Sequence, residues 1–175
     1  MNLYPDLLGA AFDKLPSAVR AFHDPQGATI WKGSADVTRG RGIVASLACQ
    51  VFGFPNSGNS VPLLLTVTPL SAGERWDRDF GGRVMSTVQY ARDGLLIERL
   101  GLVLIKMRTI IEGNKFSVVP VGWSILGLPL PRFLMPTTQN FETEIDGVFH
   151  FDVAIAAPLV GPIVTYRGRL EVCDV

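Results

Sequence analysis

From residue 61 onward the apolar residues return at every second position, and nearly every break between runs is a short turn. Leu63, Leu65 and Val67 alternate with Leu64, Thr66 and Thr68, and Trp76, Arg78 and Phe80 alternate with Arg75, Asp77 and Asp79. A period of two is the mark of a strand. Asp93-Gly94 and Asp146-Gly147 are residue pairs that tight hairpins demand. Gly81-Gly82 reads as a turn between two strands. About ten strands result, counting one before residue 61. No helix separates them after that point, so sequence neighbours are expected to pair antiparallel. Ten strands in one open sheet would curl or leave long edges, which favours closure into a barrel or half-barrel.

The first sixty residues read differently. Leu7, Leu8, Ala11, Phe12 and Leu15 fall at helical spacing, with Asp6 as a candidate cap. After Pro16 a second short helix carries Val19, Ala21 and Phe22, and His23-Asp24-Pro25 ends it as a turn. Ala28 to Val37 is expected to be a strand with Trp31, Ala35 and Val37 on one face. Ile43 to Phe52 is expected to be a short helix, stopped by Gly53 and Pro55. The predicted organisation is one α+β domain over 1–175. Its parts are a helical segment (1–25), a strand plus short helix (28–60) and an antiparallel meander (61–173). One strand, a helical insertion and about nine meandering strands is also the element order of fatty-acid-binding proteins and other calycins. A curved sheet gripping a helix, as in START-like domains, is the alternative.

Hydrophobic residues make up 47% of the chain and charged residues 18%, below the roughly 25% charged that is typical. Sixteen basic residues balance sixteen acidic ones. That balance carries no electrostatic footprint for nucleic acid or an anionic membrane. The N-terminus lacks the basic start and long apolar run of a signal peptide, and no stretch reads as a transmembrane helix, so a cytoplasmic location is expected. Cys49 reads as a buried thiol. Two histidines and two cysteines without shared spacing argue against a metal site, and no cofactor is expected.

Gly122 to Pro136, GWSILGLPLPRFLMP, is almost wholly apolar with one charge, Arg132. Pro129, Pro131 and Pro136 exclude a helix through it. It reads as an irregular apolar loop: a core plug, a lid over a pocket, or a docking patch. Its backbone groups need partners wherever it lies.

No catalytic signature is present. Arg78 alternates with Trp76 and Phe80, so it points inward if those rings do. An inward guanidinium must be paired, with Glu98 for example, or must face a cavity. In Thr165-Tyr166-Arg167-Gly168-Arg169, Tyr166 shares a face with Val164 and Leu170. Arg167 and Arg169 share the other face, which is either an anion site or a solvent face. His150 and Asp152 lie two apart on one strand, spaced for a His–carboxylate contact usable in acid–base chemistry or for a plain surface pair. Phe149, Phe151, Val153 and Ile155 form the opposite, apolar face.

His23-Asp24-Pro25, Arg75-Trp76 with Phe80-Gly81-Gly82, Gly122-Trp123 with Gly127-Leu128-Pro129-Leu130-Pro131, His150-Phe151-Asp152-Val153 and Tyr166-Arg167-Gly168 together resemble a bacterial family of domains without an assigned activity. The resemblance spans nearly the whole chain. Members of that family stand alone or are fused behind saccharopine-dehydrogenase-like domains, so the resemblance implies a full-length domain and allows an accessory role. The leading expectation from the residues is a non-catalytic module binding an apolar or amphipathic small molecule in a barrel cavity. Trp76, Arg78, Arg99, Trp123 and Tyr166 are its expected contacts. The alternatives are an interaction domain docking a partner or a second copy through 122–136, and an enzyme using His150 and Asp152.

Overall fold

The computed structural model describes residues 2–173. Two short helices, α1 (Leu3–Leu8) and α2 (Ser17–His23), flank a 3-10 segment over Gly9–Lys14. The single helical run expected from Leu7 to Leu15 is broken at Gly9, whose φ is 54°, a conformation glycine adopts without cost. Asn2 takes the cap position, and Asp6 sits in the first turn instead. The strand β1 (Thr29–Arg39) and the helix α3 (Ile43–Val51) follow. Then come β2 (Gly58–Leu70), β3 (Gly73–Phe80), β4 (Val84–Arg92), β5 (Leu95–Leu100), β6 (Val103–Glu112) and β7 (Lys115–Ile125). A two-residue β8 (Leu128–Pro129) and a 3-10 turn precede β9 (Thr137–Ile145), β10 (Val148–Ala157) and β11 (Gly161–Val172).

The strands run in the order β6-β5-β4-β3-β2-β1-β11-β10-β9-β7, with β8 on the outer edge of β7, and β6 pairs again with β7. Ten antiparallel strands therefore close into a barrel. Closure satisfies the strand edges that an open meander would leave bare. Asp93-Gly94 and Asp146-Gly147 both have positive φ at each residue, the backbone of a type I′ turn that matches the twist of its strands.

One seam is thin. β7 and β9 share a single ladder pair, Phe116 with Glu142. Asn140 Oδ1 accepts from the Val118 N–H at 3.0 Å and the Thr143 hydroxyl donates to the Asn114 carbonyl at 3.0 Å. Side chains here do what the ladder does elsewhere.

The two ends of the barrel differ. At one end α1, the 3-10 segment and α2 form a plug. Leu3, Tyr4, Phe12, Leu15, Val19 and Phe22 are all buried in it. Glu144, on β9, fastens the plug by accepting from Ser17 Oγ at 2.7 Å and the Ala18 N–H at 2.6 Å. At the other end α3 lies beside β11 and buries Ala45 and Cys49. Cys49 is a free, buried thiol, and burial pushes its pKa up. No helix among the described residues is long and apolar enough to cross a membrane.

The 122–136 stretch departs from the expected irregular loop. Gly122 to Ile125 complete β7, and the chain reverses at Leu126-Gly127. The backbone demand of the rest is met locally. Trp123 Nε1 donates to the Pro131 carbonyl at 3.2 Å, Arg132 Nη2 donates to the Val121 carbonyl at 2.9 Å, and the Leu130 N–H bonds the Trp123 carbonyl.

Candidate functional site

Alternation along each strand sends one face inward, and the inward faces do not fill the barrel. A cavity of about 400 Å³ runs from Tyr4 and Phe22 at the plugged end to Val44 on α3, Leu134 and Val160 at the other. Val44 and Leu134 line the cavity and are also exposed to solvent, which places the opening beside α3 and the 126–136 connection. The walls are mostly apolar: Leu65, Leu96, Met107, Phe151 and Ile155 are representative. The volume falls within the range of small-molecule pockets in general.

The polar groups gather on β3, β4 and β5, toward the plug. β3 turns Glu74, Trp76, Arg78 and Phe80 to one face. Arg78 Nη1 donates to Thr87 Oγ1 at 3.0 Å, its guanidinium carbon lies 4.8 Å from the Trp76 ring centre, and its Nη2 stands 3.8 Å from Glu98 Oε1. A chain of bonds backs this arrangement. The Tyr4 hydroxyl donates to Gln89 Oε1 at 2.6 Å, and Gln89 Nε2 donates to Glu98 Oε1 at 3.2 Å. Trp76 Nε1 donates to Glu74 Oε2 at 2.9 Å. Burial raises the pKa of the Glu74 carboxyl, the Trp76 bond opposing it. Burial also lifts Tyr4 well above the usual phenol range and pushes Tyr166 up to about 12, so both are neutral hydrogen-bonding groups at any ordinary pH.

A second pair, buried on the histidine side, ties the plug to the wall. His23 is wholly buried at the end of α2 and its Nε2 meets Glu142 Oε2 on β9. The ring packs against Tyr4, 3.9 Å between centroids, and Phe116. The His23-Asp24 turn expected from sequence exists, but the imidazole is a core group.

Of the contacts expected from sequence, Trp76, Arg78, Trp123 and Tyr166 line the cavity. Arg99 does not: it is exposed, and its neighbours Glu98 and Leu100 take the inner face of β5. Arg167 and Arg169 are exposed as well, on the outer face of β11 opposite Tyr166. His150 and Asp152 alternate with Phe149 and Phe151, whose rings line the cavity, so both polar side chains lie on the outside of β10. No hydrogen bond or ion pair joins them among the described residues, and neither lines the cavity. Sequence reasoning passed over Tyr4, Glu74, Thr87, Gln89 and Glu142. The alternation that turns Arg78 inward also turns Glu74 inward, so that signal was present. Tyr4 carried none, because its role depends on where the plug lands.

The model of the family described as a domain of unknown function, DUF4166, matches residues 15–170. The chain belongs to this family. Comparison with curated proteins and with solved structures yields no match. The DUF4166 match takes in every strand of the barrel except the last residues of β11, together with α2 and α3, and leaves α1 outside it.

Proposed function

We propose that this DUF4166 barrel is a non-catalytic module that binds an apolar small molecule with an uncharged, hydrogen-bonding polar end. The observation that carries the reading is the apolar cavity of about 400 Å³ with one polar corner. In that corner Arg78 faces Glu98 at 3.8 Å, with Thr87 and Gln89 beside them. A hydroxyl, ester or amide can accept from the guanidinium, and a hydroxyl or amide can also donate to the carboxylate. A free carboxylate would meet Glu98 and Glu142 as well as Arg78, and like charges in a poorly solvated site repel strongly. Within the expected class of amphipathic ligands, this favours a neutral polar end. The element order shared with fatty-acid-binding proteins supports a carrier by analogy of fold alone.

A displacement assay with a fluorescent apolar probe tests the reading. Long-chain alcohols and monoacylglycerols are expected to displace the probe at lower concentration than fatty acids of equal length at neutral pH. Failure of every class to compete, with no extractable small molecule on protein purified gently, would count against a binding module. The second reading, an accessory domain that docks through 122–136, draws on the exposure of Leu128 and Phe133.

A further inference from the structure

Five connections surround the open end of the barrel: 40–57 containing α3, 81–83, 101–102, 126–136 and 158–160. Ten of the sixteen exposed large apolar side chains among the described residues sit on these connections, which are a small part of the chain. Ile43, Val44, Leu47 and Val51 form the uncovered face of α3, with Ile43 88% exposed. Leu102, Leu126, Leu128 and Phe133 stand across the opening, Phe133 at 74%. Leu159 tips the last connection at 99%. Patches of this kind on a monomer mark a surface that something covers.

The backbone adds an independent observation. Leu126 and Leu159 have φ of 53° and 65°. Leucine rarely adopts that region, and holding it there costs energy without any burial of the side chain in return. Both tips thus spend strain to present an apolar group outward at the rim of the cavity.

Charge completes the pattern. The five connections at the opening contain Arg41, Arg83 and Arg132 and no carboxylate. Asp79, at the end of β3, turns its carboxylate to the Gly82 N–H at 2.6 Å. The plugged end carries Asp6, Asp13, Asp24, Asp93 and Asp146 against Lys14, Arg20 and Arg92, the last 3.6 Å from the Asp93 carboxylate. A net charge of zero therefore conceals two poles, one basic and apolar, the other acidic. A bilayer bearing anionic lipid attracts the first and repels the second.

We propose that the open end docks on an anionic phospholipid bilayer, with α3 and the tips at Leu126, Phe133 and Leu159 entering the interface and Arg41 and Arg132 meeting the headgroups. The cavity then opens onto the apolar layer from which its occupant can be taken. The proposal uses the binding reading for its purpose, and the rim chemistry stands without it.

Flotation with vesicles of phosphatidylcholine containing about one-third phosphatidylglycerol tests it. The native chain is expected to float at low salt and less in high salt. Phe133→Asp or Leu47→Asp is expected to weaken binding by about tenfold or more, and Arg41→Gln or Arg132→Gln by about fivefold each. Leu64→Asp, on the barrel wall, is the control and should float like the native chain. All five sites are exposed, and matching urea midpoints confirm that the variants fold. Absence of flotation by the native chain overturns the proposal. So does a concentration-dependent dimer, broken by Phe133→Asp, in a chain that ignores vesicles, because a second copy then covers the rim. Arg78→Ala, which alters only the cavity, should float normally. Loss of probe binding with normal flotation would separate the two readings.

Discussion

Arg78 and Glu98 oppose each other inside the barrel with 3.8 Å between Nη2 and Oε1, near enough to attract and too far to hydrogen-bond. A closer pair would leave little for a ligand to do. This spacing leaves guanidinium donors and a carboxylate lone pair facing the cavity. Glu98→Gln removes the countercharge and leaves Arg78 dominant. Affinity for a fatty carboxylate is expected to rise by about tenfold or more, the value of one charge-assisted hydrogen bond, while affinity for the matching alcohol changes little. Isothermal titration with both ligands checks this.

His23 joins the plug to β9 through Glu142 and is wholly buried. Removing the ring leaves a cavity among Tyr4, Phe116 and Trp76 and a carboxylate without its partner. His23→Ala should cost about 2–4 kcal/mol in urea unfolding. An unchanged denaturation midpoint would show that the plug is not part of the cooperative unit.

Glu144 is held below the usual carboxylate range by the Ala18 N–H first and the Ser17 hydroxyl second. With the folded pKa depressed, its contribution is present above the unfolded glutamate value of about 4.3 and disappears as pH falls through the folded value. Urea midpoints of the native chain and Glu144→Gln should differ at pH 7 and converge in acid. A gap that persists in acid contradicts the capping role.

Glu74 has the opposite sign. Its folded pKa is raised by burial, so protonation favours the fold, and stability falls as pH rises from the unfolded value through the folded one. Glu74→Gln keeps an acceptor for Trp76 Nε1 without burying a charge. It is expected to melt higher than the native chain at neutral pH, with the advantage shrinking in acid.

Gly168 and Gly33 mark where β11 and β1 press together. A Cβ on Gly168 would lie 2.1 Å from the Ser34 carbonyl oxygen and 2.9 Å from the Phe151 ring, and one on Gly33 would lie 1.9 Å from the Arg169 carbonyl oxygen. Backbone cannot yield as a side chain tip can. Gly168→Ala should destabilise by about 2 kcal/mol or more, measurable by thermal melting.

The period-two runs of Leu63 to Val67 and Trp76 to Phe80 were enough to place strands and their inner faces, and the two Asp-Gly pairs placed hairpins. The barrel itself was legible because ten such runs have few ways to end without bare edges. Legibility stopped where a side chain answers to a distant element. Nothing local tells His23 that Glu142 will stand beside it, or Tyr4 that it will reach Gln89. Arg99 was misplaced because β5 runs Leu-Leu-Ile-Glu-Arg-Leu, with no polar and apolar alternation to choose a face. The overall charge balance hides the separation of charge between the two ends, since only the topology says which connections share an end.

The described residues nearest both termini lie on the plugged side: α1 packs there, and Val172 pairs with Trp31 at the foot of β1. A handle attached to either terminus therefore grips the molecule by its base. An immobilised barrel presents its rim outward whichever end is tethered, and a domain joined at either end would leave the approach to the cavity unobstructed.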